Sequence, residues 1–203
     1  MDLVFSEKKC SKRGCKNLTT YKYCIPCATE MSKKFVAKKY KDEELGRKKK
    51  LKELKFNPKS ALQDKVNEIA RLIDYGNVCI SCQNVCKREN GCHFHSVGSN
   101  EKLRYNLLNI WLGCYSCNGE KGGNIQGYDL GLVDLVGKDY WDYLKFQFVL
   151  DNKGVEIKEI DFKGKISIAN QIIKELKSDL FKRGGRERVE MRKILNERIG
   201  IYK

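Results

Sequence analysis

Between residues 62 and 73 the apolar residues Leu62, Val66, Ile69 and Ile73 recur at helical spacing with polar and charged residues between them. That period predicts an amphipathic helix reaching toward Gly76, its apolar stripe buried against the chain that follows. Just before it stands Asn57-Pro58-Lys59-Ser60, where Asn57 or Ser60 can cap the first turn. A second stripe, Ile125, Tyr128, Leu132 and Leu135, predicts a helix over 124–136, followed by the aromatic-rich run DYWDYLKFQFV at 139–149. A third, Ile168, Ile172, Ile173, Leu176 and Leu180, predicts a helix over 166–182. From Arg183 the pattern gives way to basic residues, which read as an extended arm.

The stretch 31–55 has no such stripe. It holds eleven Lys or Arg, four acidic residues and no proline, and good helix formers dominate it. This predicts a long, exposed basic helix, broken near Gly46. Composition sharpens its meaning: Lys and Arg total 41 against 26 Asp and Glu, a net charge of +15. Such an excess suits a polyanionic partner, nucleic acid above all. Lys33, Lys34, Lys48 and Lys49 are candidate phosphate contacts on this helix, with a solvated helical linker as the plainer alternative. No apolar run approaches the roughly 18 residues of a membrane span. The N-terminal MDLVFSEKKCSKRGC also lacks the apolar segment of a secretory signal. The expectation is an intracellular protein with no membrane partner and with reduced thiols.

In that compartment ten cysteines point to metal rather than to disulfides. Cys10, Cys15, Cys24 and Cys27, spaced C-x4-C-x8-C-x2-C, suit a closed tetrahedral zinc site. So short a module has little core, and metal would supply its folding energy. Cys79 and Cys82 with Cys114 and Cys117 make a second pair of knuckles, 31 residues apart. The insert between them holds both histidines, His93 and His95, which would share a face if the segment were extended. Cys86 and Cys92 have no assigned partner.

The register around the second knuckle is informative. Counting from Asn109, Cys114 is at +5, Cys117 at +8, Asn118 at +9 and Lys121 at +12, and His93 lies 16 residues upstream. This resembles the zinc-bearing branch of the HNH, or ββα-metal, nucleases over about residues 79–123. GCHFHSVGS, LRYNLLNI and CYSCNGEKGGN, with Tyr128, Leu132 and Gly137, further resemble the NinG family of lambdoid phages, over about residues 8–150.

The resemblance implies a structure-specific endonuclease for branched recombination intermediates such as Holliday junctions and D-loops, made by a phage and working in the cytoplasm of its bacterial host. His93 would be the general base, and Asn109 would orient it or brace its loop. Asn118 would offer an oxygen to a catalytic Mg2+ or Mn2+, and Arg104 and Lys121 would hold flanking phosphates. Cutting both strands symmetrically would call for a homodimer. Trp111 stands where the family pattern carries a histidine, and Cys92 precedes His93 where the pattern carries glycine. Trp111 favours a second reading, a non-catalytic zinc-dependent module that binds branched DNA and recruits recombination enzymes. A zinc-finger regulator of linear duplex is the third. The expected layout is α+β: a four-cysteine zinc finger over 1–30 and a basic helical linker over 31–56. A zinc-stapled HNH-like ββα-metal domain over 57–150 and a helical basic extension over 151–203 complete it.

Overall fold

The computed structural model describes residues 7–54 and 56–202; the first six residues of the expected finger, Lys55 of the expected basic helix and Lys203 lie outside it. The chain divides into two compact units, up to Phe56 and from Asn57. It is an α+β structure, mostly helical, with two small two-stranded sheets.

In the first unit, β1 (Lys8–Lys9) pairs antiparallel with β2 (Leu18–Thr19), and α1 follows over Ile25–Leu54. Helix α1 starts earlier than the basic run suggests, because Pro26 suits a first turn and Cys27 is carried in it. Nor does it break at Gly46. One exposed glycine costs a helix only about 1 kcal/mol, and the pairs Lys39–Glu43 and Glu44–Lys48 support the turns just before and around it.

The second unit opens with α2 (Pro58–Ile73), capped by Asn57, whose side-chain oxygen accepts from the Lys59 and Ser60 amides at 3.0 and 3.3 Å. Its stripe is buried as the spacing predicts: Leu62, Val66, Ile69 and Ile73 pack with Ile172, Ile173 and Leu176 of α6 (Phe162–Ser178). β3 (Glu89–His93) and β4 (Ile110–Cys114) form an antiparallel pair in which Cys92 faces Trp111 and His93 faces Ile110. A π-type turn, Ser116–Glu120, leads to α3 (Ile125–Val136). The aromatic run then forms α4 (Lys138–Asp142), a second π-type turn and α5 (Phe148–Asp151). Tyr128, Leu132, Leu144 and Phe148 make a second apolar core with Trp111 and Ile80.

Helix α3 lies against the backbone of the Cys79–Cys82 knuckle through two glycines. A Cβ on Gly127 would stand 2.2 Å from the Ser81 carbonyl oxygen, and one on Gly131 would stand 1.8 Å from that of Ile80. Ile125, expected on the buried stripe, is exposed.

The C-terminal residues depart most from expectation. Helix α6 begins at Phe162, where Asp161 accepts from the Gly164 amide, and ends before Leu180, which is exposed. The stretch expected as an extended arm from Arg183 forms α7 (Gly185–Ile199), packed within the same unit as residues 57–150. Two of its arginines, Arg188 and Arg192, turn inward because a counter-charge awaits them. Asp74 and Arg192 are both 0% exposed, with Arg192 Nη2 2.6 Å from Asp74 Oδ2 and Arg188 Nη1 3.3 Å from Oδ1. Arg192 also donates to the Leu107 and Ile110 carbonyls at 3.1–3.2 Å, and Asp74 Oδ2 accepts from the Leu112 amide of β4 at 2.8 Å. The Arg192 guanidinium lies 3.8 Å from the centre of the Trp111 ring, a cation–π contact.

Candidate metal centres and a histidine cleft

In the first unit Cys10 follows β1, Cys15 sits in the connecting loop, Cys24 precedes α1 and Cys27 lies in its first turn. Their four sulfurs lie within 4.8 Å of one another. Bonds of about 2.3 Å from a central zinc set sulfur–sulfur edges near about 3.8 Å, and Cys15 and Cys24 are 3.7 Å apart. Donors already face these sulfurs: the Cys24 amide reaches Cys10 Sγ at 3.3 Å, and the Asn17 side-chain amide reaches Cys24 Sγ at 3.5 Å. The Asn17 donor is foremost in bringing the Cys24 thiol down to about 6, while the hydrogen bond with Cys24 helps push Cys27 up to about 12. Sulfurs so close cannot all ionise without a cation among them, so the cluster could hold a tetrahedral structural ion of the zinc kind.

The second unit repeats this arrangement. Cys79 and Cys82 come from the loop after α2, Cys114 from the end of β4, and Cys117 from the turn beyond it; their sulfurs too lie within 4.8 Å. Cys82 and Cys114 are 3.8 Å apart, and the Cys114 amide donates to Cys79 Sγ at 3.3 Å. Burial raises the Cys79 thiol, but the amides of Cys114, Cys82 and Ser81 outweigh it and bring the group to about 7. Cys86 and Cys92 belong to neither cluster. Burial pushes both thiols up to about 12, and Cys92 sits in the core against Gly113.

Beside this second cluster a cleft of about 390 Å3 is lined by His93 from the end of β3, Asn118 from the π-type turn, Gly122 and Gly123 from the bend after it, and Asn67 from α2. The His93 ring is fixed: Nε2 is 2.9 Å from the Arg104 carbonyl oxygen. A carbonyl only accepts, so Nε2 carries the proton and Nδ1 is the nitrogen left with a lone pair. Burial holds the imidazole below its ordinary pKa, against the pull of that carbonyl, and so favours the neutral base.

Asn109 does not line the cleft. Buried beneath the loop, its amide accepts from the His95 N–H at 2.8 Å and donates to the carbonyls of His95 and Leu103 at 3.0 and 3.3 Å. It braces the chain between the strands rather than the His93 ring. His95 does not share the outlook of His93, because β3 ends at His93; the His95 ring donates to the Leu144 carbonyl at 2.7 Å. Arg104 contributes its carbonyl to His93 and its side chain to Gln63, with Nε 3.1 Å from Oε1. Lys121 is exposed in a groove next to the second cluster. In the first unit Lys33, Lys34, Lys48 and Lys49 are exposed on α1, with Lys34 paired to Glu30 and Lys48 to Glu44. Trp111, expected to bear on the site, is wholly buried under Arg192.

Sequence reasoning missed Gln63 and Asn67. Their amides, 2.8 Å apart on α2, link Arg104 and the cleft, and Gln63 Nε2 flanks His93 Nε2 at 3.3 Å. The available signal was a polar pair at i and i+4 beside the stripe residues Leu62 and Val66. It also missed Asp74, an acid at the C-terminal end of a helix, where the helix dipole disfavours negative charge.

The chain is 31% identical over 101 residues to "Protein ninG" of Escherichia phage lambda, covering 47% of this chain and 50% of that protein. It is 30% identical to its counterpart in Escherichia phage 933W over 101 residues and 29% identical to that of Salmonella phage P22 over 93. The matched stretch spans about half the length of these curated relatives. No solved structure matches the chain. A family model described as Bacteriophage Lambda NinG protein matches residues 2–179, most of the length, and the chain therefore belongs to the NinG family.

Proposed function

We propose that this protein is a divalent-metal-dependent DNA endonuclease of the HNH-like, ββα-metal type that cuts branched recombination intermediates. One observation carries the reading: His93 and Asn118, 25 residues apart in the sequence, line one cleft beside a four-cysteine cluster. The strand pair β3–β4, the turn and α3 supply a ββα frame for that cleft. In this scheme Nδ1 of His93 takes a proton from water, the water oxygen attacks phosphorus, and the bond to the 3′ oxygen breaks. Asn109 keeps the His93-bearing loop in shape.

Asn118 offers a hard neutral oxygen to Mg2+ or Mn2+, and among the described residues no carboxylate lines the cleft. The donor set fits an ion whose other ligands are phosphate oxygens and water. When bound, such an ion would stabilise charge on the phosphate and on the leaving oxygen. Affinity for the ion should therefore be weak without DNA and rise when DNA is present. Two zinc ions in the cysteine clusters are structural in this reading. The net charge of +15 suits DNA, and symmetric cutting of a four-way junction would use a homodimer. Trp111 favours the second reading, a binding-only module; its burial under Arg192, outside the cleft lining, supports the catalytic one.

The test is cleavage of a labelled four-way junction and a matched linear duplex in Mg2+ and in Mn2+, by wild type and by His93→Ala. The expected result is junction-selective cutting that falls by roughly a hundredfold or more in the variant, with binding retained. Tight junction binding with no cutting in either metal would overturn the catalytic reading.

A further inference from the structure

A second depression of about 390 Å3 lies on the knuckle itself, and the cleft just described leaves it unused. Val85 and Tyr115 give it an apolar floor beside the second cysteine cluster. Lys87, Arg88 and Lys121 supply charge, and among the described residues no acidic side chain lines it. Val85 is 81% exposed and Tyr115 43% exposed, so both present apolar surface to the solvent side of the groove. The Arg88 guanidinium lies 4.5 Å from the centre of the Tyr115 ring, so a planar cation and an aromatic face are already paired at the wall. Apolar floor, aromatic edge and cationic rim are what a nucleotide requires: a face for the base and positive charge for the phosphate.

Its position adds a second argument. The segment from Ser116 to Gly123 is the partition between the two depressions. Asn118, Gly122 and Gly123 line the histidine cleft, whereas Ser116, Cys117 and Lys121 line the groove. Gly122 and Gly123, at φ +58° and +96°, give the partition no side chains at its bend. A strand with one phosphate in the cleft can cross there without obstruction.

We propose that this groove holds a nucleotide of the DNA strand flanking the phosphate in the His93 cleft, its base against Tyr115 and Val85 and its phosphate between Lys87 and Lys121. The proposal rests on the DNA-cutting reading for the identity of the strand, but its test does not depend on cutting. Junction binding is measured by fluorescence anisotropy in Ca2+, with single abasic nucleotides placed in turn along one strand. For wild type, one abasic position should weaken binding by roughly five- to a hundredfold. Tyr115→Ala should weaken binding to the intact junction by a similar factor and be indifferent to that position. Tyr115→Phe should behave as wild type. Lys87→Ala with Lys121→Ala should lower the slope of log affinity against log salt by about 2. Two zinc ions retained per chain show that the knuckle is intact in each variant.

Wild-type affinity in Tyr115→Ala, or equal sensitivity of both proteins to every abasic position, overturns the groove even if the enzyme cuts normally. A Tyr115-dependent position in a protein that never cuts supports the groove and overturns the catalytic reading alone. Absence of junction binding overturns both.

Discussion

Asp74→Ala should be among the most damaging single changes in the second unit. The carboxylate is wholly buried, 2.6 Å from Arg192 Nη2 and 3.3 Å from Arg188 Nη1, and it accepts the Leu112 amide at 2.8 Å. Its removal leaves Arg192, itself 0% exposed, as an uncompensated buried cation. Breaking a buried pair in this way costs about 3–5 kcal/mol, a large share of a domain's total of about 5–15 kcal/mol. With a urea m-value of about 2 kcal/mol/M, the unfolding midpoint should fall by about 1.5–2.5 M. Both tryptophans, Trp111 and Trp141, lie in the second unit, so fluorescence of the zinc-saturated full chain reports that unit alone. Two controls isolate the cause. Asp74→Asn keeps an acceptor for Leu112 and should lose less. Asp74→Leu combined with Arg192→Met removes that pair but leaves Arg188 without its carboxylate and strands the Leu112 amide and the Ile110 carbonyl, so it should recover only part of the loss. The deficit should also be the same at low and high salt, since buried charges are poorly screened. An Asp74→Ala protein within about 1 kcal/mol of wild type, or full recovery in the double variant, would refute the reasoning.

The base is competent only when neutral, and burial lowers the His93 pKa from 6.5, so the cleavage rate should rise with pH through a midpoint below 6.5 and then level off; an acid limb centred above 7 would exclude His93 as the base. Cys114→Ser should reduce bound zinc from two ions per chain to one, read by elemental analysis, and lower the unfolding midpoint seen by tryptophan fluorescence. Gly131→Ala places a methyl 1.8 Å from the Ile80 carbonyl oxygen and should cost about 1–3 kcal/mol, whereas Gly154→Ala, with open space around it, should cost far less. Comparison of the two melting temperatures decides the point, and equal values would remove the close approach as a constraint.

What the sequence reveals here is what local period and ligand spacing can carry. The stripe of α2, the helix over 125–136 and both cysteine tetrahedra follow from residues a few places apart or from metal chemistry with few alternatives. Long-range polar pairing left no such trace. Arg188 and Arg192 read as solvent-facing because arginine is rarely buried, and only the approach of Asp74 from more than a hundred residues away reverses that expectation. Asn109 illustrates the same limit at the site. Its spacing from the knuckle was legible, but whether its amide met an imidazole ring or a peptide depended on how the loop between the strands closed. Tyr115 carries no signal of its own in the sequence; its exposure and its Arg88 partner emerge only in three dimensions.

The link between Asp74 and Arg192 spans 118 residues, which sets an order of events during synthesis. At about 5–20 residues per second, the ribosome needs about 6–24 s after adding Asp74 before it adds Arg192. Until then the strand pair has no cation behind it, and the Ile110 carbonyl lacks its Arg192 donor. Tyr202, which donates to the Lys102 carbonyl and accepts from the Tyr105 amide, arrives later still. The wall that carries His93 is therefore assembled last, by residues translated long after it. A ribosome-bound chain stopped short of α7 would hold both cysteine clusters and every cleft residue, yet would lack the support that sets them in place.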